Sequence, residues 1–205
     1  MSAVNEWIVR EYFEANGYFV HQPRKYEIQG KRKEVKEEID LIVINPLVSE
    51  HKVPDHFIWS TDDLKSIQRA VVAIKGWHTE RFYASKLEKM PEILRFVEPK
   101  AIEFAHNLLG DGPVAKILCI PALPASGELK EVTIKTLKNK GVDGIISFGT
   151  ILMELVGYVT INRSYKSDLL QILRLLKRYD LIKDIQMDFF IRRRRIKKES
   201  KNMQG

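Results

Sequence analysis

An aspartate and a lysine at the ends of two apolar segments offer the clearest chemistry in this sequence. Asp40 stands before L-I-V-I, and Lys75 ends A-V-V-A-I-K. Alternation along a strand puts Ala73 and Lys75 on one face. Because an unpaired buried ammonium is costly, the lysine needs a role. If the two segments are paired strands, Asp40 and Lys75 can meet at one edge of a sheet.

An acid beside a lysine on neighbouring strands suits phosphate chemistry. A carboxylate can bind a divalent metal, which polarises a phosphate and lowers the pKa of its bound water. The lysine can position or deprotonate that water and offset the charge that develops. The alternative interpretations are a structural ion pair at a strand end, or a solvated turn in which Asp40 follows Glu37 and Glu38.

The N-terminal half of the chain supplies the elements that must position this pair. Periodicity and turn residues predict a helix over residues 4–16, a strand over 18–28 interrupted by Pro23, its hairpin partner over 36–44, and a strand over 70–75. The polar segment Q-G-K-R-K-E is predicted to be the turn of the hairpin. Residues 46–65 are predicted to form a long loop with a short helix near D-D-L-K-S-I.

The C-terminal half alternates helical and strand patterns. The predictions are helices over 80–109 cut by Pro91 and Pro99, a strand over 114–121, a helix over 128–141, a strand over 143–148 followed by a helix, and a leucine-rich helix over 167–182. Ser167 is a good N-cap for the last helix. This order of elements predicts an α/β or α+β domain with a mixed sheet, and we adopt α/β.

Charge is concentrated at the C-terminal end. The 205 residues carry a net charge of +7, and residues 188–205 hold seven Lys/Arg against two acids, which leaves +2 for residues 1–187. Such a tail either binds phosphates with strong salt dependence or is a solvated, disordered terminus. The body of the chain is therefore nearly neutral.

Cysteine content and hydropathy indicate a cytoplasmic protein without a membrane segment. Cys119 is the single cysteine, which excludes an internal disulfide and, with five scattered histidines, argues against a zinc cluster. No run of about 18 apolar residues is present, and the first residues lack the pattern of a signal peptide. We expect Cys119 to be a buried core residue.

The order of these elements, with the residues at their ends, resembles the PD-(D/E)XK phosphodiesterases. The resemblance covers residues 4–121 through the helix E-W-I-V-R-E-Y-F, the strand E-E-I-D-L-I-V-I and the strand end A-I-K, with residues 128–148 as a further helix and strand. Order and spacing are similar to those of archaeal Holliday-junction resolvases and Mrr-type endonucleases. The resemblance implies a restriction-endonuclease-like fold, a mixed central sheet flanked by helices, here with a C-terminal helical extension.

The same resemblance implies roles for particular residues and partners. Asp40 would be a metal ligand for Mg²⁺, with Mn²⁺ as a substitute, and Lys75 would be the catalytic lysine. Glu6 would be the helix acid that assists the metal, with Glu11 as the other candidate. DNA would be the partner, and a homodimer would be the acting form.

Ala73 departs from the pattern of this family. The family calls for an acid or an amide at this position as the second metal ligand, and a methyl group supplies none. Three explanations compete: the chemistry is lost, the alanine is an engineered inactivation, or a carboxylate from elsewhere replaces the ligand, with Glu80, Glu38 and Glu6 as candidates. Because Mg²⁺ uses one or two carboxylates besides waters and substrate, a single strand acid is poor provision.

Several residues after Lys75 are candidates for contact with nucleic acid. His78 can contact a phosphate, and Trp77 can stack on a base. Arg81 and Lys86 can touch the DNA backbone. For each there is a structural alternative: a packed histidine, rim packing of the aromatic ring, or a solvated helix face.

Three functions stay open at this point. The first is a metal-dependent DNA phosphodiester hydrolase. The second is a catalytically inactive nucleic-acid-binding or protein-assembly domain on the same fold. The third is a partner-binding domain with a strand-end lysine. The predicted organisation is a core domain over 1–160, a helical extension over 161–187 and a basic, disordered tail over 188–205.

Overall fold

The computed structural model describes residues 3–23, 26–29, 32–35 and 39–182 of the chain. The basic tail over 188–205 lies outside these residues, as do Glu37 and Glu38. The chain divides into two compact units, Met1–Ile151 and Leu152–Gly205. None of the helices in the described parts has the length and apolarity that crossing a membrane requires.

A five-stranded mixed sheet forms the centre of the first unit. Its strands are β1 (Phe19–His21), β4 (Leu41–Ile44), β5 (Arg69–Ile74), β6 (Ala115–Ile120) and β7 (Gly144–Ser147), in the spatial order β1-β4-β5-β6-β7. β4 is antiparallel to both β1 and β5, whereas β5, β6 and β7 are parallel to one another. The prediction of an α/β domain with a mixed sheet flanked by helices is confirmed.

The predicted hairpin is correct at its base and wrong at its tip. Phe19 pairs with Ile44, as the predicted partnership of the two strands requires. The strand predicted over 18–28 is split, however, and its second part is β2 (Tyr26–Gln29). β2 pairs with β3 (Arg32–Val35), which lies where a polar turn was predicted. The cause is that Pro23, which fixes φ and has no N–H to donate, separates β1 from β2.

Helices connect the strands in the predicted order. They are α1 (Ala3–Ala15), α2 (Thr61–Leu64), α3 (Ala84–Lys89), a 3₁₀ helix (Pro91–Val97), α4 (Pro99–Leu109), α5 (Gly127–Asn139), α6 (Phe148–Tyr158) and α7 (Asp168–Arg178). Pro91 and Pro99 each begin a new helical piece, because proline is tolerated in a first turn and breaks a helix interior. Gly141 adopts a φ of +90° just after α5, as expected for a helix stop.

One face of the sheet packs against the helices that follow β5 and β6. Buried residues of this apolar cluster come from the sheet, from α3, α4 and α5 and from the 3₁₀ helix; among them are Ile42, Val71, Ala73, Leu118, Ile120, Ile145, Leu87, Phe96, Ala101, Ala105 and Leu137. β5 and β6 are buried along almost their whole length. That burial explains their continuous apolar sequences, which parallel strands covered on both faces require.

The second unit contains the predicted leucine-rich helix. Ser167 Oγ accepts a hydrogen bond from the backbone N–H of Leu170, so Ser167 caps α7 as predicted. Two basic side chains of α7 hold the preceding turn: Arg174 Nε donates to the carbonyl of Ile161 at 2.8 Å, and Lys177 Nζ donates to that of Val159 at 2.9 Å.

The segment before α2 reaches across to β7. Ile145 N–H donates to the carbonyl of Phe57 at 2.9 Å, and Trp59 N–H donates to that of Ile145 at 2.8 Å. The Trp59 ring, 1% exposed, lies directly over Gly144. A β-carbon built at position 144 would come within 2.1 Å of a ring carbon, so this close approach requires glycine.

We expect Gly144→Ala to destabilise the chain by about 1–3 kcal/mol, because the buried indole ring must move to admit a methyl group. The measurement is the free energy of unfolding in urea. Gly127→Ala is the matched control, since a β-carbon there meets no atom within 4 Å. Equal stability of the two variants would show that Trp59 does not pack on Gly144.

Candidate functional site

Asp40 lies at a bulge where β4 meets the end of β5. Leu41 is registered opposite Val72, yet the N–H of Asp40 also donates to the Val72 carbonyl, at 3.0 Å. Two residues of one strand therefore oppose one residue of the other, which defines a β-bulge. The bulge aims the carboxylate at the backbone of β5, where Asp40 Oδ2 accepts the N–H of Ile74 at 2.5 Å.

Lys75 follows β5 directly, so Asp40 and Lys75 lie at the same edge of the sheet. The N–H of Lys75 donates to the Cys119 carbonyl at 2.9 Å and extends the pairing with β6 by one residue. Asp40 is 1% exposed and Lys75 is 5% exposed. Burial to this degree makes the edge at Asp40 and Lys75 a part of the protein interior.

Ala73 is fully buried in the apolar cluster. Its neighbours there include Val71 on the same strand and Leu118 on β6, which is its registered partner. The position at which the family pattern calls for a second ligand is therefore part of the core. An acid at this position would meet apolar side chains in the present packing, and burying an unpaired carboxylate is costly.

α1 carries both candidate acids and an amide that contacts the residue after Lys75. Glu6, the predicted helix acid, is half-buried and accepts a hydrogen bond from Gln22 Nε2. Glu11, the other candidate, is 8% exposed. Asn5, which the sequence did not single out, is 6% exposed, and its Nδ2 donates to the Gly76 carbonyl at 3.3 Å.

His78 takes part in a structural contact between the turn after β5 and two helices. Its Nε2 lies 2.9 Å from Asn5 Oδ1, and its ring meets that of Phe148 edge-on with centroids 4.7 Å apart. Gly76 fits beneath Asn5 so closely that a β-carbon there would collide with the Asn5 amide. The packed-histidine interpretation of His78 agrees with this geometry.

The other predicted nucleic-acid contacts lie in the next turn and in α3. Lys86 Nζ lies 4.7 Å from the centre of the Trp77 ring and also pairs with Glu80. The hydrogen bond from Lys86 lowers the pKa of the Glu80 carboxyl. Arg81 is exposed, and its Nη1 donates to the Leu123 carbonyl at 2.9 Å. Phe82, next to Arg81, is 1% exposed and belongs to the apolar cluster.

The surroundings of Asp40 bear on the predicted Mg²⁺ site. Mg²⁺ keeps several waters and binds one or two carboxylates together with substrate phosphates. Asp40 is 1% exposed and one of its oxygens already accepts a backbone N–H. No group of three His, Cys, Asp or Glu side chains in the described residues could hold a metal ion. Glu80, one candidate replacement, instead pairs with Lys86.

Cys119 lies next to this edge on β6 and is completely buried, as expected from the sequence. Burial raises the pKa of the Cys119 thiol far above its usual range, and the Asp40 carboxylate raises it further. Both effects favour the protonated thiol over the thiolate. Protonation and burial together remove the nucleophilic thiolate.

Asp40→Ala should lower the free energy of unfolding by about 1–3 kcal/mol, because it leaves the buried Ile74 N–H without its acceptor. The measurement is urea unfolding at neutral pH. Asp62→Ala is the control, since Asp62 pairs with Lys65 at the surface and exposed pairs contribute little. An Asp40 variant as stable as the Asp62 variant would contradict this structural role.

Cys119 should not react with a thiol reagent such as dithionitrobenzoate at pH 8 while the protein is folded. It should react fully in urea, where the thiol regains its ordinary pKa and becomes exposed. Absorbance of the released thiolate measures both states. Rapid reaction in the native state would show that the edge at Asp40 and Cys119 opens to solvent.

Comparison with known proteins gives no match among family models, curated proteins or solved structures. The geometry of the described residues is therefore what supports a function for this chain.

Proposed function

We propose that this chain is a nucleic-acid-binding protein built on a restriction-endonuclease-like scaffold, and that it binds DNA without cleaving it. One observation carries the second half of the proposal. The Asp40 carboxylate, the acid that such chemistry needs, is buried and accepts the N–H of Ile74.

The order and pairing of the elements support the scaffold. A helix is followed by two antiparallel strands, β1 and β4, and then by β5, helices, β6, α5 and β7. Asp40 precedes β4 and Lys75 follows β5, the positions that the resemblance assigns to the metal ligand and the catalytic lysine. The sheet is mixed and flanked by helices. We propose that it is a restriction-endonuclease-like sheet because Asp40 and Lys75 occupy these two positions.

Packing around the strand ends favours binding over hydrolysis. Hydrolysis needs a metal, a water and a phosphate within reach of the carboxylate. Asp40 and Lys75 are at most 5% exposed, and Ala73 is sealed in the apolar cluster. An ordered scaffold remains, in which the Asp40 carboxylate accepts the backbone N–H of Ile74 at the end of β5.

Charge supports the choice of DNA as the partner. Residues 188–205 supply a net +5 within the total of +7. In the first unit, Arg81 and Lys89 are exposed on the segment that follows β5. Cations of this kind bind phosphates with an affinity that falls steeply as salt rises. We also propose that the chain binds duplex DNA as a homodimer.

The test is binding and cleavage of closed circular plasmid and of a four-way junction by the full chain, with Mg²⁺ or Mn²⁺. We expect salt-dependent binding in gel-shift assays and no cleavage. A variant without residues 190–205 should bind more weakly and with a shallower salt dependence, because it loses phosphate contacts. Cleavage that disappears in Lys75→Ala would overturn the proposal in favour of a hydrolase.

Restoring an acid at position 73 should not restore activity. Ala73→Asp should lower the melting temperature by more than Ala73→Val, a control of similar side-chain size, because it buries an uncompensated carboxylate. Neither variant should cleave DNA with Mg²⁺ or Mn²⁺. Metal-dependent cleavage by folded Ala73→Asp would instead identify a nuclease inactivated by one substitution.

A further inference from the structure

A cavity of about 270 Å³ lies at the carboxyl ends of β6 and β7. It is lined by the last residue of each strand, Ile120 and Ser147, by the loop that leads to α5, and by Arg81 and Lys130. Ligands of open α/β sheets bind beyond the carboxyl ends of parallel strands. None of the residues assigned to phosphate chemistry from the sequence, apart from Arg81, lies in this cavity.

The lining of the cavity carries two positive charges and no carboxylate. Arg81 uses one N–H to hold the carbonyl of Leu123, which fixes the guanidinium against the loop. Lys130, in the first turn of α5, is half-buried. Within the described residues, neither cation pairs with an acid. Two cations that line one cavity without a counter-charge favour a ligand that carries about two negative charges.

Ser147 is a polar residue of the same lining. Its Oγ accepts the N–H of Thr150 at 3.0 Å and so caps α6. The same oxygen lies 2.9 Å from Thr150 Oγ1. These bonds fix the position of the Ser147 hydroxyl in the lining.

The rest of the lining is apolar. Ile58, Leu123, Pro124 and Ile145 contribute side chains, together with Ile120 and an alanine. The volume is close to the lower end of the range for ligand cavities, about 300–1,000 Å³. Space of this size suits one ring rather than a large cofactor.

We propose that this cavity binds a phosphate monoester whose other end is a small apolar or single-ring group. At neutral pH a phosphate monoester carries about −1.5 to −2 charges, which matches Arg81 and Lys130 together. A carboxylate would neutralise only one of them. The ring would lie against the apolar part of the lining, and the phosphate would lie between the two cations.

Two sources can supply such a group, a free pyrimidine mononucleotide or the phosphorylated end of a nucleic-acid strand. The site does not depend on the DNA binding proposed above, because closed circular plasmid has no terminal phosphate. Failure of one proposal therefore leaves the other intact.

The first experiment is calorimetric titration of the full chain with phenyl phosphate, benzoate and thymidine 5′-monophosphate. We expect saturable binding of both phosphates with a Kd of about 0.1–1 mM, the order for ligands of this size. Benzoate should bind at least about tenfold more weakly, because it lacks the second charge. Absence of saturable binding of both phosphates would overturn the proposal, as would benzoate binding equal to that of phenyl phosphate.

Lys130→Met keeps most of the side-chain volume and removes the charge. It should weaken phenyl phosphate binding about tenfold, the effect of losing one charge-assisted contact. Lys135→Met is the matched control, since Lys135 is exposed on the same helix and does not line the cavity. Equal binding by the two variants would place the ligand elsewhere and overturn the assignment.

Competition distinguishes the two sources. A thymidine decamer with a 5′-phosphate and the same decamer without it are each titrated against bound phenyl phosphate. Displacement by the phosphorylated decamer alone would identify a strand end as a ligand, and displacement by the mononucleotide alone would identify a free nucleotide. If neither the phosphorylated decamer nor the mononucleotide displaces phenyl phosphate, the assignment to phosphate monoesters that carry a nucleoside is overturned.

Discussion

The hydrogen bond from Ile74 N–H to the Asp40 carboxylate is central to the chemistry that is available where β4 begins and β5 ends. At the bulge, β4 no longer supplies a carbonyl in register with β5, and the side chain of Asp40 takes the place of the missing backbone acceptor. One oxygen of this carboxylate therefore belongs to the hydrogen bonding of the sheet. At 1% exposure, the Asp40 carboxylate has almost no contact with solvent.

Sequence patterns predicted most of the helices and strands, because each depends on local properties. Continuous apolar stretches identified β5 and β6, proline divided the helices after residue 80, and Ser167 marked the start of α7. The bulge at Asp40 could not be predicted, because it depends on the register between two strands far apart in sequence. β3 was missed because its residues are strongly polar and it pairs only with its neighbour β2.

Some residues of the candidate sites could be found from the sequence pattern, and others could not. Asp40 and Lys75 stood out because charge at the end of an apolar segment is unusual, and the structure puts them at one edge of the sheet. Asn5 and Lys130 gave no signal, since an amide in a helix and a lysine on a polar helix face are common. Their positions result from the docking of α1 and α5, a tertiary property. The unbroken strand pattern around Ala73 was the one available sign that this position belongs to the core.

The contact between the Phe57–Trp59 segment and β7 also covers part of an outer strand of the sheet. β7 is the last strand of the five-stranded sheet, and a bare outer strand offers its N–H and C=O groups to another chain. Backbone bonds from this segment occupy those groups at Ile145, while the Trp59 ring covers Gly144. The long connection between β4 and β5 thus acts as a cover against edge-to-edge aggregation.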